Sequence, residues 1–167
     1  MKKLKNIYFA GGCFWGVEEY FSRIPGVKHV SSGYANGNTE NPSYEDLIYR
    51  GAGHAETVHV QYDPELISLN ILTEHFFKII NPFTLNRQGV DKGTQYRTGV
   101  YYSDDNDKEI LKVLFENEQK KHSKKIVVEL LPLVHYYLAE EYHQDYLKKN
   151  PSGYCHVDFS LLADSKL

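Results

Sequence analysis

A chain of 167 residues is long enough to bury a substantial core, and we expect residues 1–167 to form a single domain. A hydrophobic content of 41%, a charged content of 25% and a net charge of -3 are typical of globular proteins and give no reason to expect a nucleic-acid partner. The apolar stretch after the basic N-terminus is too short for a signal peptide, and no run of about 18 apolar residues could span a membrane. We therefore expect a cytoplasmic monomer without membrane association.

The hydrophobic pattern predicts alternating strands and helices along the chain. The predicted elements are a strand at 5–10, a helix at 13–24, strands at 27–34 and 55–62, a helix at 66–80, a strand at 96–102, a helix capped at 103–105 and reaching 122, a strand at 126–131 and a helix at 139–149. This order predicts an α+β fold, a two-layer sandwich built on a split βαβ (ferredoxin-like) plait, with a mixed sheet and a loop-rich C-terminal segment.

Cys13 follows two glycines at the end of a predicted strand and opens a predicted helix. The first amides and the dipole of a helix stabilise a thiolate, which predicts a pKa of roughly 4–7 instead of about 8.5. The glycines allow a sharp turn and the close approach of a ligand. An inert, buried thiol is the alternative, since free cysteines are among the most buried residues.

Three further residues give Cys13 a candidate pocket and acid. Helical spacing places Phe14 on the buried face and Trp15 on the polar face, where an indole could line a pocket for an apolar group. Glu56 shares one face of its strand with two valines, so burial would raise its pKa and suit it to donate a proton near neutral pH. Alternatively, Glu56 lies at a frayed, solvated strand end.

The second cysteine, Cys155, lies in a turn near the end of the chain, after Pro151 and Gly153. Local opening costs little there, and a resolving thiol needs that freedom to reach a cysteine on a rigid element. A structural disulfide is disfavoured in a reducing compartment. A surface thiol without a role is the alternative.

Seven sequence motifs, taken together and in order, resemble the peptide methionine sulfoxide reductase A family. They are YFAGGCFWG at 8–16, GYANG at 33–37, NPSYE at 41–45, GHAETV at 53–58, LNRQGVDKGTQYR at 85–97, AEEYHQ at 139–144 and GYC at 153–155. The sequence departs from the family pattern at Ile80-Asn81-Pro82-Phe83, where His-Asp-Pro-Thr is common, and at Val90, where Asn is common. His156 also stands where the family often continues into a glycine-rich tail with a further cysteine.

The resemblance implies a thioredoxin-dependent peptide-methionine (S)-S-oxide reductase, an oxidoreductase of protein repair under oxidative stress, with no bound cofactor. Cys13 is implied to attack the sulfoxide sulfur and to become a sulfenic acid, while Glu56 protonates the sulfoxide oxygen. Cys155 is implied to resolve the sulfenic acid as a Cys13–Cys155 disulfide, which thioredoxin reduces. Dithiothreitol is the expected substitute for thioredoxin in vitro.

The resemblance also implies how the substrate is held. Tyr44 and Tyr96 resemble the hydroxyls that hydrogen-bond the sulfoxide oxygen, and Asp91 resembles the residue that anchors the backbone amide. Phe14 and Trp15 resemble the apolar wall that receives the S-methyl group, which revises the purely core position that helical spacing gives Phe14.

The same residues are compatible with other functions. A thiol peroxidase would use the same two cysteines but would not need a methyl pocket, and a non-catalytic module could bind oxidised methionine without converting it. A Cys-His hydrolase stays open, because its partners need only be close in space. We expect no metal site, because the sequence contains no Cys-x-x-Cys or His-Glu-x-x-His ligand pair.

Overall fold

A mixed β-sheet forms the centre of the computed structural model, which describes residues 3–37, 40, 42–45 and 53–162. The strands are β1 (Lys5–Gly11), β2 (Val27–Ala35), β3 (Ala55–Tyr62), β4 (Arg87–Gln88), β5 (Asp91–Lys92), β6 (Thr98–Tyr102), β7 (Glu129–Pro132) and β8 (Tyr136–Leu138). The helices are α1 (Phe14–Ser22), α2 (Leu69–Ile79), α3 (Asn106–Lys120) and α4 (Tyr146–Lys149), with 3₁₀ turns at Thr94–Tyr96, Glu141–His143 and Phe159–Leu162. None of the helices in the described part of the chain is long and apolar enough to cross a membrane.

Six strands are ordered β7-β6-β1-β3-β2-β8, and β4 and β5 form a separate hairpin. The pairs are antiparallel except β6 with β7, which is parallel. The predicted α+β class with a mixed sheet is therefore confirmed. The predicted elements up to residue 131 agree with the observed ones to within three residues at each end.

The main core lies between the sheet and helices α1 and α2. Phe9 on β1 stacks against Phe21 of α1 at a centroid distance of 4.8 Å and against Phe76 of α2 at 5.1 Å. Such pairs contribute about 0.5–1.5 kcal/mol each beyond the burial of their area. This packing fixes the start of α1 against the ends of β1 and β3, where the candidate site lies.

The predicted helix over 139–149 is wrong. Residues Glu141–His143 form a 3₁₀ turn, and α4 begins only at Tyr146, because Asp145 has a left-handed φ of 52°. The backbone breaks here to make tertiary hydrogen bonds: the Asp145 N–H donates to Glu18 Oε1 at 2.9 Å, and the Gln144 amide bonds the backbone of Ser32. Tertiary contacts thus override the local helical preference.

The same segment covers the face of α1 that sequence spacing predicts to be polar. Glu18 and Glu19 are only 2% and 8% exposed. Burial raises the pKa of Glu18 to about 7, against the bond from the Asp145 N–H. The face that carries Trp15 is therefore an internal one.

Candidate active site

Cys13 lies at the junction of β1 and α1, as its N-cap residue. Gly12 makes the turn possible for two reasons: its φ is 86°, and a Cβ there would lie 2.6 Å from the Cβ of Gln88. Cys13 is 8% exposed and its thiol is free. The predicted strand–turn–helix setting is therefore confirmed.

The predicted lowering of the Cys13 pKa is wrong. Burial raises the pKa of the thiol above its ordinary value, the negative charge of Glu56 raises it further, and the hydrogen bond from the Trp15 backbone only partly opposes them. Loss of water around the sulfur outweighs the helix N-terminus here. Burial therefore favours the neutral thiol of Cys13.

Glu56 lies on β3, where it pairs with Tyr34 of β2, and is 2% exposed. Its Oε1 accepts the backbone N–H of Phe14 at 3.2 Å. Burial raises the pKa of Glu56 to about 8, against that hydrogen bond. The predicted burial and raised pKa are confirmed, and at neutral pH the side chain is a protonated acid next to Cys13.

Two tyrosines face the same space. The hydroxyls of Tyr44 and Tyr96 interact with each other, and the pKa of each is raised by burial and by the charge of Glu56. Glu140 fixes the backbone of Tyr44, because its Oε2 accepts the Tyr44 N–H at 3.2 Å while its Oε1 accepts the Tyr34 hydroxyl at 2.7 Å. Since only one of two neighbouring hydroxyls can donate to the other, one proton of the pair stays available for an incoming acceptor.

An aromatic wall stands beside Cys13. Phe14 is 1% exposed and belongs to the core, and its ring also packs on His143 at 5.1 Å. Trp15 stacks on Tyr146 at 3.7 Å and donates its indole N–H to His143 Nδ1 at 3.0 Å. The predicted core position of Phe14 is therefore confirmed, and the predicted polar-surface position of Trp15 is corrected to a partly buried one. The role of Phe14 and Trp15 in receiving a methyl group stays a prediction.

Asp91 lies at the start of β5, near enough for its charge to raise the pKa of Cys13 and of Glu56. Its carboxylate accepts a hydrogen bond from the Tyr154 hydroxyl, and its Oδ2 is buried with no hydrogen-bond partner among the described residues. Burial raises the pKa of Asp91, against Tyr154 and His156. A buried carboxylate oxygen without a partner is a strong acceptor for a donor from a ligand.

Cys155 lies against α1 instead of in an open turn. Its side chain is half-buried, its thiol is free, and its Sγ lies next to Gly16. The freely moving setting predicted for Cys155 is thus corrected to a docked one. The two cysteines are close enough for the charge of Cys155 to affect the pKa of Cys13.

The arrangement brings together a buried thiol, a buried carboxylic acid, two tyrosine hydroxyls, two aromatic rings and a second thiol. A model of the family described as peptide methionine sulfoxide reductase matches residues 5–166. The chain belongs to this family. A peptide methionine sulfoxide reductase MsrA from Clostridium acetobutylicum is 51% identical over 159 residues, which are 95% of this chain and 98% of that protein.

Solved structures of this reductase family have the same fold. Reduced Mxr1 from Saccharomyces cerevisiae is similar with a TM-score of 0.86 and 41% identity, over 92% of this chain and 89% of that one. Methionine sulfoxide reductase A of Corynebacterium diphtheriae is similar with a TM-score of 0.87 and 36% identity, over 91% and 77% of the two chains. The predicted family and the predicted enzyme class, a methionine sulfoxide reductase, are confirmed.

Sequence reasoning missed three residues that support this reductase site. His143 receives the Trp15 indole, Tyr154 bonds Asp91, and Glu140 holds the Tyr44 backbone. The pKa of Glu140 is lowered, because the Tyr34 hydroxyl and neighbouring N–H groups outweigh its burial. No spacing in the sequence indicates these contacts, because each joins segments far apart in the chain.

Proposed function

We propose that this chain reduces the S epimer of methionine sulfoxide to methionine in oxidised proteins and peptides, with the free amino acid as a second candidate substrate. The observation that carries the proposal is the placement of Glu56, a buried acid with a pKa of about 8, beside Cys13 and bonded to the Phe14 N–H. A sulfoxide is a poor electrophile until its oxygen is protonated or strongly hydrogen-bonded. The site supplies that proton next to a thiol.

The electrostatics of the pair favour attack only when Glu56 carries its proton. The charge of Glu56 raises the pKa of Cys13, so a protonated Glu56 makes the thiolate easier to form. The Cys13 thiolate attacks the sulfoxide sulfur, Glu56 gives its proton to the oxygen, and the oxygen passes to the Cys13 sulfur. The substrate leaves as a thioether, and Cys13 is oxidised to a sulfenic acid.

Tyr44 and Tyr96 support the same oxygen. The two hydroxyls interact with each other, and only one can donate within the pair, which leaves one proton for the sulfoxide oxygen. A positioned donor of this kind is worth about 10²–10³-fold in rate. We assign the unpartnered Oδ2 of Asp91 to the backbone N–H of the substrate.

The aromatic wall selects the epimer. Phe14 and Trp15, whose rings both pack on His143, form the apolar side that we assign to the S-methyl group. The R epimer would place its oxygen in the apolar slot or its methyl against Glu56. An unpaired buried polar group costs about 1–3 kcal/mol, which corresponds to roughly 5- to 150-fold in rate.

Cys155 then attacks the sulfenic acid to give the Cys13–Cys155 disulfide and water. We propose thioredoxin as the donor that returns both thiols, so that no bound cofactor is needed. A solved structure of Mxr1 from Saccharomyces cerevisiae in complex with Trx2 supports this choice; it is 32% identical over 86% of this chain and 85% of that one, with a TM-score of 0.62. We further propose that residues 1–167 act as a single-domain cytoplasmic monomer.

An epimer-resolved assay tests the proposal. Peptides carrying one methionine sulfoxide of defined configuration are reduced first with dithiothreitol and then with thioredoxin, and hydrogen peroxide serves as the competing substrate. We expect turnover of the S epimer with both donors and at least about tenfold less with the R epimer. Comparable rates on both epimers, or a preference for peroxide, would contradict the assignment.

A further inference from the structure

The end of the chain is docked on the junction of β1 and α1. We call residues 154–157 the resolving arm, because they include Cys155. The His156 Nε2–H donates to the Gly11 carbonyl at 2.8 Å, and Val157 is only 7% exposed. The arm is thus held directly after Cys155, by a hydrogen bond at His156 and by packing at Val157.

Gly16 provides the space that the arm occupies. A Cβ at this position would lie 2.3 Å from Cys155 Sγ and 3.1 Å from Val157 Cγ2, and no side chain tolerates the first distance. Gly16 is inside α1, where glycine is about 1 kcal/mol less favourable than alanine. The helix itself therefore gives no reason for glycine here, whereas the contact with Cys155 does.

Docking at Gly16 places Cys155 on the side of α1 that leads to Cys13. Residues three apart lie on the same helix face, one turn from each other, and Gly16 is three residues after Cys13. The Val157 N–H donates to Cys155 Sγ at 3.3 Å. Burial raises the pKa of Cys155, and this N–H and Arg23 oppose it.

We propose that Gly16 is a positioning residue for the resolving step, because it holds Cys155 docked one helical turn from Cys13. The inference rests on the proposed function. In the step concerned, the Cys155 thiolate attacks the Cys13 sulfenic sulfur, an S–S bond forms, the S–O bond breaks, and hydroxide leaves as water after taking a proton. Two electrons pass from Cys155 to the sulfenic sulfur, and no other reductant is needed.

Single-turnover kinetics of Gly16→Ala test this assignment. We expect about one equivalent of methionine at a rate within about twofold of the unchanged chain, since oxygen transfer does not involve Cys155. Formation of the Cys13–Cys155 disulfide should be about 10- to 100-fold slower, because displacement by about 1 Å has effects of this size. Turnover with thioredoxin should fall accordingly, while dithiothreitol, which can react with the sulfenic acid directly, should sustain turnover. Disulfide formation at the unchanged rate would overturn the assignment.

The docking itself is measured by alkylation of Cys155 with iodoacetamide in a Cys13→Ser background. Adding Gly16→Ala should accelerate alkylation by about tenfold, as the thiol leaves its half-buried position. Gly99→Ala is the matched control, because its Cβ would lie 2.8 Å from the Tyr101 hydroxyl oxygen, and the three atoms nearest to it all belong to Tyr101 and none to the arm. If Gly16→Ala does not fold, His156→Ala in the same Cys13→Ser background replaces it, because this change removes the hydrogen bond from His156 to the Gly11 carbonyl. Faster alkylation of Cys155 supports docking, and an unchanged rate contradicts it. Loss of methionine formation by the unchanged chain would instead refute the proposed function.

Discussion

The Glu56 carboxyl group accepts the backbone N–H of Phe14, the residue directly after Cys13, at 3.2 Å. This bond joins the start of β3 to the first turn of α1, so the Glu56 carboxyl group has a fixed position relative to Cys13. Because burial keeps Glu56 protonated near neutral pH, the acceptor of this bond is a neutral carboxylic acid, and no charge is buried.

Replacement of Glu56 by Gln should remove the proton donor while keeping the shape and the acceptor for the Phe14 N–H. We expect kcat to fall by about 10²–10⁴-fold with little change in KM, since a general acid acts in the transition state. Stopped-flow measurement of the first turnover checks this. A Gln variant with unchanged kcat would remove Glu56 from the mechanism.

The unchanged chain should lose activity as pH rises through about 8, because Glu56 then gives up its proton. The free energy of unfolding should also fall as pH rises. The folded pKa of about 8 lies above the unfolded value, so the stabilisation relative to Glu56→Gln is complete below about pH 4.5 and is lost as pH rises to about 8. Denaturant unfolding of both proteins at pH 5 and pH 8 measures the difference. Equal pH dependence of the two would contradict a neutral Glu56.

The two tyrosines should act as a coupled pair. Tyr44→Phe and Tyr96→Phe each remove one of two interacting hydroxyls, and we expect each to lower kcat by about 10²-fold. The double variant should lose little more than the worse single variant, since coupled residues are not additive. Steady-state kinetics of the three variants measure this. Losses that simply multiply in the double variant would contradict the coupling.

Asp91→Asn should weaken substrate binding more than chemistry. The buried Oδ2 accepts no bond in the substrate-free site, and a hydrogen bond to a charged group is worth about 1.5–3 kcal/mol. We therefore expect KM for a peptide substrate to rise by roughly 10- to 150-fold with kcat nearly unchanged. Tyr154→Phe, which leaves the carboxylate in place, is the control. An unchanged KM in Asp91→Asn would show that Asp91 does not anchor the substrate.

Local pattern was sufficient for the positions of Cys13 and Glu56. The strand–glycine–helix sequence defines where Cys13 lies, and alternation along β3 places Glu56 on the face of its valines. The same reasoning failed where distant segments decide. The charged face of α1 is buried because the backbone near Asp145 bonds Glu18, and no local pattern encodes that contact.

The protonation of Cys13 illustrates a second limit. The helix N-terminus argues for a thiolate, but the thiol is 8% exposed and lies beside Glu56, so desolvation raises its pKa. The burial of a single atom depends on the whole fold and not on its neighbours in sequence. The position of Cys155 is equally outside the reach of local pattern, because its contact with Gly16 joins residues 139 positions apart. The sequence indicated the candidate residues, whereas packing determines their burial and their protonation.

The most direct test is a single turnover of Cys155→Ser without any reductant, on peptides with one methionine sulfoxide of either configuration. The S epimer should give about one equivalent of methionine and leave one oxygen atom on Cys13, seen by mass spectrometry after trapping of the sulfenic acid. Cys13→Ser should give none. Methionine formed by Cys13→Ser, or equal yields and rates from the R epimer, would contradict Cys13 as the nucleophile of an S-selective reductase.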